Sequence, residues 1–185
     1  MTAENLTVNL RAAVYDFLCK YAAPLIDPNN IIWGNQNEIT LPESDDYIIF
    51  SPLNTIRHGT GEEIYDPAKG QYSISETIEV PVQIDCYANT ETGEDGMNAM
   101  LRAQAIETIA RSKLGVAHFK KHGISVLYAE NARNITLVDE DNRFHSRWSV
   151  TLNLSMRSVI QVNQDYFNAV NFELIEVDSR FKPNS

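Results

Sequence analysis

Long hydrophobic runs and cysteines are both scarce in this sequence of 185 residues. The apolar run from Tyr47 to Phe50 is far shorter than the roughly 20 residues that cross a bilayer as a helix, so we expect no transmembrane helix and no membrane partner. The first residues, Met-Thr-Ala-Glu-Asn, lack the cationic start and apolar stretch of a secretory signal, which predicts folding in the cytoplasm.

The only cysteines in the sequence are Cys19 and Cys86. Cytosolic thiols are usually reduced, although a single disulfide between them is an open alternative.

Basic residues are the scarcer charge. Lys and Arg number 15 against 25 Asp and Glu, for a formal net charge of -10. Proteins that grip nucleic acid neutralise its phosphates with Lys and Arg, so this balance disfavours DNA binding as the activity. The longest basic run is the pair Lys120 and Lys121, which gives little indication of a basic patch.

Glycine and proline are few, at 8 and 7 residues, which excludes a fibrous or low-complexity chain. With 43% hydrophobic and 22% charged residues, the composition is that of a folded globular protein. A usual domain has about 150 residues. We therefore predict one domain over residues 1–185, with flexible ends at 1–5 and 179–185.

Two segments have the spacing of amphipathic helices. In the first, from about Asn5 to Ala23, apolar residues recur every three or four positions, and Pro24 ends it because proline has no amide to donate. The second runs from Met97 to about Lys113. A shorter helical turn from Val116 to Lys121 is predicted to end at Gly123.

Two long segments alternate between apolar and polar residues, as strands with one buried face do. They run from Tyr72 to Cys86 and from Phe144 to Met156, the second after a predicted turn at Asp139 to Asn142. Pro81 lies in the first segment. Because proline cannot donate a ladder hydrogen bond, we expect it at a sheet edge or a bulge.

Shorter strands are predicted at Asp46 to Arg57, Ile124 to Tyr128 and Tyr166 to Val177. Ile135 to Val138 either extends the second of these or begins another strand. The polar stretch from His58 to Gly70 is predicted to be a mobile hairpin loop of unusual length, and long loops in compact domains tend to be functional.

The order of elements is helix, two strands, helix and about three strands, with no linker rich in Gly, Ser or Pro. This order predicts an α+β fold in one domain. We expect a mainly antiparallel or mixed sheet whose apolar face is flanked by two α-helices.

No motif for catalysis, cofactor binding or metal binding is found. His118 and His122 would share a helix face, but the lysines between them would repel a cation. Gly59-Thr60-Gly61 lacks the third glycine of a nucleotide-binding loop, and two glutamates follow it. Neither a Gly-x-Ser-x-Gly elbow nor a Cys beside a His occurs. We therefore predict no catalytic, cofactor-binding or metal-binding residues; a site assembled from distant residues is the open alternative.

The polar faces of the two long strands have opposite charge bias. Glu79 and Asp85 lie on the first, and Arg147 and Arg157 lie on the second. One interpretation is an ordinary solvated sheet face. The other is a subunit interface in which the acidic edge of one copy meets the basic edge of the next, a heterologous contact that closes into a ring when the rotation fits.

Several runs of residues resemble the tailed-phage neck or tail terminator family, and together they extend from about Leu6 to Val177. They are Ile31-Ile32-Trp33-Gly34-Asn35-Gln36-Asn37, the turn Leu41-Pro42, the strand Tyr47-Ile48-Ile49-Phe50, the long strand Ile78 to Tyr87, the helix Met97 to Arg111, and the hairpin Arg143 to Met156 with Arg147-Trp148-Ser149-Val150 at its centre. The run that contains Trp33 is the most distinctive.

The resemblance implies a structural virion protein without catalytic activity. Such a protein forms a ring, usually hexameric, on the head-proximal end of the tail tube, stops tube polymerisation and presents a surface to the head connector. The implied partners are further copies of the chain, the tail tube protein and the head connector or another neck protein. DNA passes through the ring without specific binding, and the implied location is the virion neck after assembly in the host cytoplasm.

Within such a ring, we expect the sheet edges and the loop with Trp33 to contact neighbours. Glu62, Glu63 and Asp66, in the stretch His58 to Gly70, are predicted to project into the channel. A channel lined with carboxylates repels DNA, which suits a conduit. Contact with the next subunit is the alternative for this stretch.

Three other functions are open on the sequence alone. The chain could be another head-tail joining or stopper protein of the neck. From a different class, it could be a small cytoplasmic α+β enzyme or a ligand-binding module. A monomer in solution would favour the last two, although some neck proteins form rings only on a tube.

Overall fold

The computed structural model of the chain describes residues 3–21, 26–35, 41–42, 44, 46–88, 96–135, 137–138 and 144–163. Within these residues there are three α-helices: α1 (Ala3–Tyr21), α2 (Gly96–Ala110) and α3 (Lys113–Lys121). The strands are β1 (Ile31–Trp33), β2 (Tyr47–Pro52), β3 (Ile56–Arg57), β4 (Glu62–Asp66), β5 (Gln71–Ala88), β6 (Ile124–Ala129), β7 (Arg133–Asn134), β8 (Leu137–Val138) and β9 (Phe144–Asn163). A 3₁₀ turn at Pro28–Asn30 precedes β1. The predicted turn at 139–142, strand at 166–177 and flexible end at 179–185 lie outside the described residues.

The strands form a mixed sheet in the order β1-β2-β5-β9-β6. Strands β3 and β4 pair with β5, while β7 and β8 pair with β9. The β1–β2 pair is parallel, and the other described pairs are antiparallel. The predicted α+β fold is confirmed, with three helices in the described part of the chain where two were expected. Residues 3–5, predicted to be flexible, belong to α1.

The alternating pattern decides which side of β5 and β9 is buried. All 18 residues of β5 lie opposite residues of β9, with Ile78 opposite Met156 and Cys86 opposite Trp148. Directly opposed residues share a face. The even-numbered, mostly apolar residues of both strands therefore form one continuous apolar face, and the odd-numbered residues form what we call the polar face.

The helices bury their apolar stripes against the apolar face. The fully buried side chains of this core come from α1, α2, α3, β2, β5 and β9, and they include Val14, Phe17, Leu18, Ile106, Phe119, Ile48, Phe50, Val82, Ile84, Val150, Leu152 and Leu154. Each such side chain contributes roughly 1.5–3 kcal/mol relative to an exposed one. The core thus fixes the helices on one side of the sheet.

Helix α3 is positioned by a cap at one end and a glycine at the other. The Ser112 hydroxyl accepts hydrogen bonds from the amides of Leu114 and Gly115 at the start of the helix. The predicted stop at Gly123 is confirmed, since its φ of +71° lies in the left-handed region that favours glycine. The helical turn predicted at 116–121 is therefore the second half of a longer helix.

Pro81 is not at a sheet edge, but it does lie at an irregularity of the bulge kind, because the three residues 53–55 stand opposite the two residues 80–81 between the β2 and β3 registers. It lies in the central strand β5, between the stretches that pair with β2 and β3. Its carbonyl accepts a hydrogen bond from the Leu53 amide at 2.9 Å. The nitrogen of the same residue faces the same side as this carbonyl, so the missing N–H falls in the gap between β2 and β3 and leaves the β5–β9 ladder intact.

The stretch from His58 to Gly70 is a hairpin in which a strand replaces the middle of the predicted loop. Five of its residues form β4, in register with β5 from Glu62 opposite Ser75 to Asp66 opposite Gln71. The Asp66 carboxylate accepts a hydrogen bond from the Ala68 amide at 3.0 Å, and the turn ends at Gly70 with φ +61°. The prediction of a long loop is wrong because strand pairing, rather than local pattern, orders residues 62–66.

Candidate functional site

Opposite charges meet within one chain at one end of the polar face. The Arg147 guanidinium donates to the Asp85 carboxylate at 2.9 Å, and the Gln83 side-chain amide donates to both oxygens of that carboxylate, at 3.1 and 2.9 Å. The opposite charges of β5 and β9 therefore pair with each other across these neighbouring strands. Whether Asp85 and Arg147 also contact a second copy stays a prediction.

Tyr87 completes this cluster. Its ring stacks on that of Tyr47, with centroids 4.4 Å apart, and the Arg147 guanidinium lies 5.6 Å from its centroid. Burial raises the pKa of Tyr87 to about 12, against the opposing charge of Arg147. For Arg147, burial disfavours the charge, but the hydrogen bond and charge of Asp85 raise its pKa overall. Both shifts leave these two residues in their ordinary protonation states near neutral pH, so the cluster is suited to packing rather than proton transfer.

The other two predicted interface residues also have partners in the same chain. Glu79 is buried, and its carboxylate lies 2.8 Å from His58 Nε2. Arg157 donates to Glu62 at 2.6 Å and to the Ser75 hydroxyl at 2.7 Å. His58, Glu62, Ser75 and Arg157 line an open depression of about 320 Å³ beside β4. A contact between Glu79 or Arg157 and a second copy stays a prediction.

Trp33 lies in the short edge strand β1 rather than in a loop. Its side chain is 7% exposed and packs edge-on against Phe50, with centroids 5.2 Å apart. The Arg11 guanidinium lies 5.9 Å from the indole ring. Trp33 is thus mainly a core residue, and a role for it in subunit contact remains untested.

The three carboxylates predicted to face a channel lie on β4, an outer strand of the hairpin. Glu62 and Glu63 are exposed, and Asp66 is half-buried. Between them, Ile64 is 52% exposed. Alternation along the strand places Glu62, Ile64 and Asp66 on the polar face and Glu63 on the opposite face.

The outer face of α3 is a basic surface that the sequence reasoning missed. Lys113, Lys120 and Lys121 are exposed, and the helix contains no Asp or Glu. Among the described ion pairs, none involves these lysines. The spacing of these lysines indicates the basic surface, because residues seven and eight positions apart lie on one side of a helix. The lysines do not form one consecutive run in the sequence.

His118 of α3 contacts α1. His118 Nε2 lies 3.0 Å from the Ala13 carbonyl oxygen, and its ring packs against Phe17 and Phe119. In the residues that the structure describes, no group of three or more His, Cys, Asp or Glu side chains is placed to hold a metal ion. The same residues include no helix with the length and apolar character that a membrane span requires.

An ion pair between a buried arginine and a half-exposed aspartate, which the sequence did not indicate, ties α2 to the residue before β2. Arg102, 3% exposed, donates to the Asp46 carboxylate at 2.9 Å and to the Tyr87 carbonyl at 3.2 Å. The two charged residues are 56 positions apart, so only the fold brings them together. This pair positions α2 beside the Tyr87 cluster.

Comparison with known proteins identifies similarities in both sequence and structure. The sequence profile of a family described as phage neck terminator protein matches residues 8–178. A solved structure titled "Cryo-EM Structure of an Extracellular Contractile Injection System, PVC sheath/tube terminator in extended state" is similar at 12% identity with a TM-score of 0.43, over 97% of this chain and 65% of that one. The chain thus spans somewhat less than two thirds of the length of that protein. No curated protein matches the sequence.

Proposed function

Because the chain belongs to the phage neck terminator protein family, we propose that it caps the head-proximal end of the tail tube of a tailed bacteriophage. The cap ends tube polymerisation and joins the tube to the head connector. The observation that carries this proposal is the family match, which spans residues 8–178 and so includes nearly the whole fold.

The active form in this proposal is a homomeric ring, usually hexameric, located in the virion neck. Its partners are further copies of the chain, the tail tube protein and the head connector. A cap of this kind works by binding and shape, without catalysis. The ion pairs Arg147–Asp85 and Arg157–Glu62 support a structural role, because each ties two strands of the sheet together.

DNA passes through the ring without being held. Six chains at -10 each would carry a formal charge of about -60. Such a field repels the phosphates of DNA, and screening at physiological salt limits the repulsion to distances of about 8 Å from the surface. A lumen of this sign would let DNA slide through without sticking.

Electron microscopy of the purified chain mixed with isolated tail tubes tests the proposal. We expect extra density at one end of each tube and shorter tubes when the chain is present during polymerisation. An unrelated acidic protein of similar size is the control. Density on isolated head connectors but never on tubes would make the chain a different neck protein, and absence from both would overturn the proposal.

A further inference from the structure

The basic outer face of α3 carries exposed apolar side chains beside its lysines. Leu114 is 62% exposed and Val116 is 46% exposed. At 100° per residue, these two and the three lysines fall within an arc of about 160°. We call this surface, formed by Lys113, Leu114, Val116, Lys120 and Lys121, the α3 face. Leu114 and Val116 flank the lysines on either side of this arc, so a docked partner would meet apolar contacts on both sides of the charged groups.

The outer strand β4 has the opposite charge and a matching apolar residue. Its five residues include Glu62, Glu63 and Asp66, with the exposed Ile64 between them. On its inner side β4 pairs with β5. We call Glu62, Glu63, Ile64 and Asp66 the β4 edge.

The two surfaces agree in length. Lys113 and Lys120 are separated by seven helical residues, or about 10 Å along the axis. Glu62 and Asp66 are separated by four strand residues, or about 13 Å. Glu62 and Asp66 lie on one face of β4, where they also pair with Arg157 and Lys69 of their own chain, and Glu63 lies on the other face. A helix laid along the strand edge can therefore bring its lysines near both rows of carboxylates, with Ile64 against Leu114 or Val116.

We propose that the α3 face of one copy docks on the β4 edge of the next copy. This inference rests on the proposed ring and names the surfaces that build it. Each copy carries one surface of each kind, so the contact is heterologous and closes into a ring if the rotation between copies fits. Among the described ion pairs, none joins α3 to β4 within a chain.

The charge balance of the chain favours a second copy as the occupant of the α3 face. Helix α3 contributes +3 to a chain of -10, so the remainder of each copy carries -13. DNA is the weaker candidate, because few lysines release few counterions and the rest of the chain repels phosphate. The assignment also changes the role predicted for Glu62, Glu63 and Asp66. A paired strand with an exposed isoleucine suits a protein contact better than a water-filled channel.

Charge reversal on each surface tests the contact. One variant is Glu62→Lys with Glu63→Lys, and the other is Lys120→Glu with Lys121→Glu. Each alone should weaken self-association by about tenfold or more, because like charges facing each other in an interface are costly. An equimolar mixture of the two should associate again, since every contact between unlike variants pairs opposite charges. Sedimentation velocity measures association in solution, and negative-stain images measure it at tube ends.

Matched controls carry the same change of charge elsewhere. Asp16→Lys with Glu130→Lys is the control for the β4 edge, and Arg57→Glu with Arg133→Glu is the control for the α3 face. Circular dichroism and thermal unfolding verify that every variant is folded. The controls should associate as the wild type does.

Four results would overturn this inference. They are a wild-type chain that is monomeric both in solution and at tube ends, reversal variants that associate normally, controls that lose association equally, and a mixture that does not recover. In the last case, loss of DNA or vesicle binding by Lys120→Glu with Lys121→Glu would show that the α3 face serves another ligand. If the wild-type chain caps tubes and the reversal variants cap them equally well, this inference is wrong but the proposed function stands. Rings that depend on both surfaces but never cap a tube would overturn the proposed function alone.

Discussion

The Cys86 thiol is fully buried on the apolar face of β5, and this burial raises its pKa to about 12. Because the thiolate is the reactive form, we expect Cys86 to resist alkylation by iodoacetamide near neutral pH while the protein is folded. Cys19 is only partly buried and should react faster. Mass spectrometry after timed labelling distinguishes the two sites. Equal rates in the folded protein would contradict the prediction, and equal rates in guanidinium are the control.

The raised pKa of the Tyr87 phenol predicts how the free energy of unfolding changes at alkaline pH. Burial raises its pKa to about 12, whereas the same phenol in the unfolded chain ionises near its ordinary pKa of 10.0. The folded state binds this proton more tightly than the unfolded state does. The phenol therefore stabilises the folded state fully below pH 10, and this stabilisation is lost as the pH rises towards 12.

Tyr87→Phe should therefore flatten part of the fall in unfolding free energy over that pH range. Urea unfolding of both proteins at a series of pH values measures the difference. Tyr72→Phe is a suitable control, since it removes one phenol from the hairpin rather than from the cluster. An identical pH slope for wild type and Tyr87→Phe would show that the phenol ionises normally in the folded state.

At the scale of elements, the sequence predicted what local periodicity can encode. The alternation from Tyr72 to Cys86 and from Phe144 to Met156 correctly identifies the central pair of strands. The expectation that the polar face is solvated is not met along the middle of the pair, where Glu79, Asp85, Ser149 and Asn153 are buried. The stripes of α1 and α2 correctly predict helices on the apolar side. The stop at Gly123 follows from backbone conformation alone.

Features that depend on distant partners were not predictable in the same way. The sequence did not predict β4, because the adjacent glutamates 62 and 63 do not fit a strand pattern. These residues form a strand because they pair with β5. Pro81 is tolerated in a central strand because β2 and β3 leave a gap beside it. Arg147 and Asp85 are 62 positions apart, so the sequence showed their charges but not that they pair with each other.

Gly115 of α3 lies directly against the backbone at the end of α2. A Cβ at this position would lie 2.3 Å from the Ile109 carbonyl oxygen and 2.8 Å from the Ala110 Cα, both of them backbone atoms. We expect Gly115→Ala to lower the free energy of unfolding by about 1–3 kcal/mol, because the helices must separate. Denaturant unfolding provides the measurement.

Gly61→Ala is the matched control, since its new Cβ would meet its neighbours at 3.4 Å or more. It should change stability far less than Gly115→Ala does. Because Gly115 also positions the α3 face, Gly115→Ala should weaken self-association even under conditions where the protein is folded. Normal stability in Gly115→Ala would mean that α3 can shift without loss.

For the whole molecule, the net charge predicts weak contact with DNA. Non-specific binders usually have dissociation constants of about 10⁻⁴–10⁻⁶ M at physiological salt, and we expect this chain to bind duplex DNA no more tightly than the weak end of that range. Fluorescence anisotropy with a labelled duplex measures the affinity. Tighter binding that falls steeply with salt would contradict the prediction of a repelling conduit. Lys120→Glu with Lys121→Glu would then test whether the α3 face is the cause.

The long ladder between β5 and β9 has a mechanical consequence for the whole molecule. Its register continues without a shift from Ala88 opposite Ser146 to Gln71 opposite Asn163, at the turn next to β4. The hydrogen bonds of an antiparallel pair run perpendicular to the strands. A pull on the hairpin along the strand axis therefore shears many of these bonds at once instead of peeling them apart singly. Subunits that hold one another by this hairpin would resist being stretched open, because tension between neighbours passes directly into the helix-packed centre of each fold.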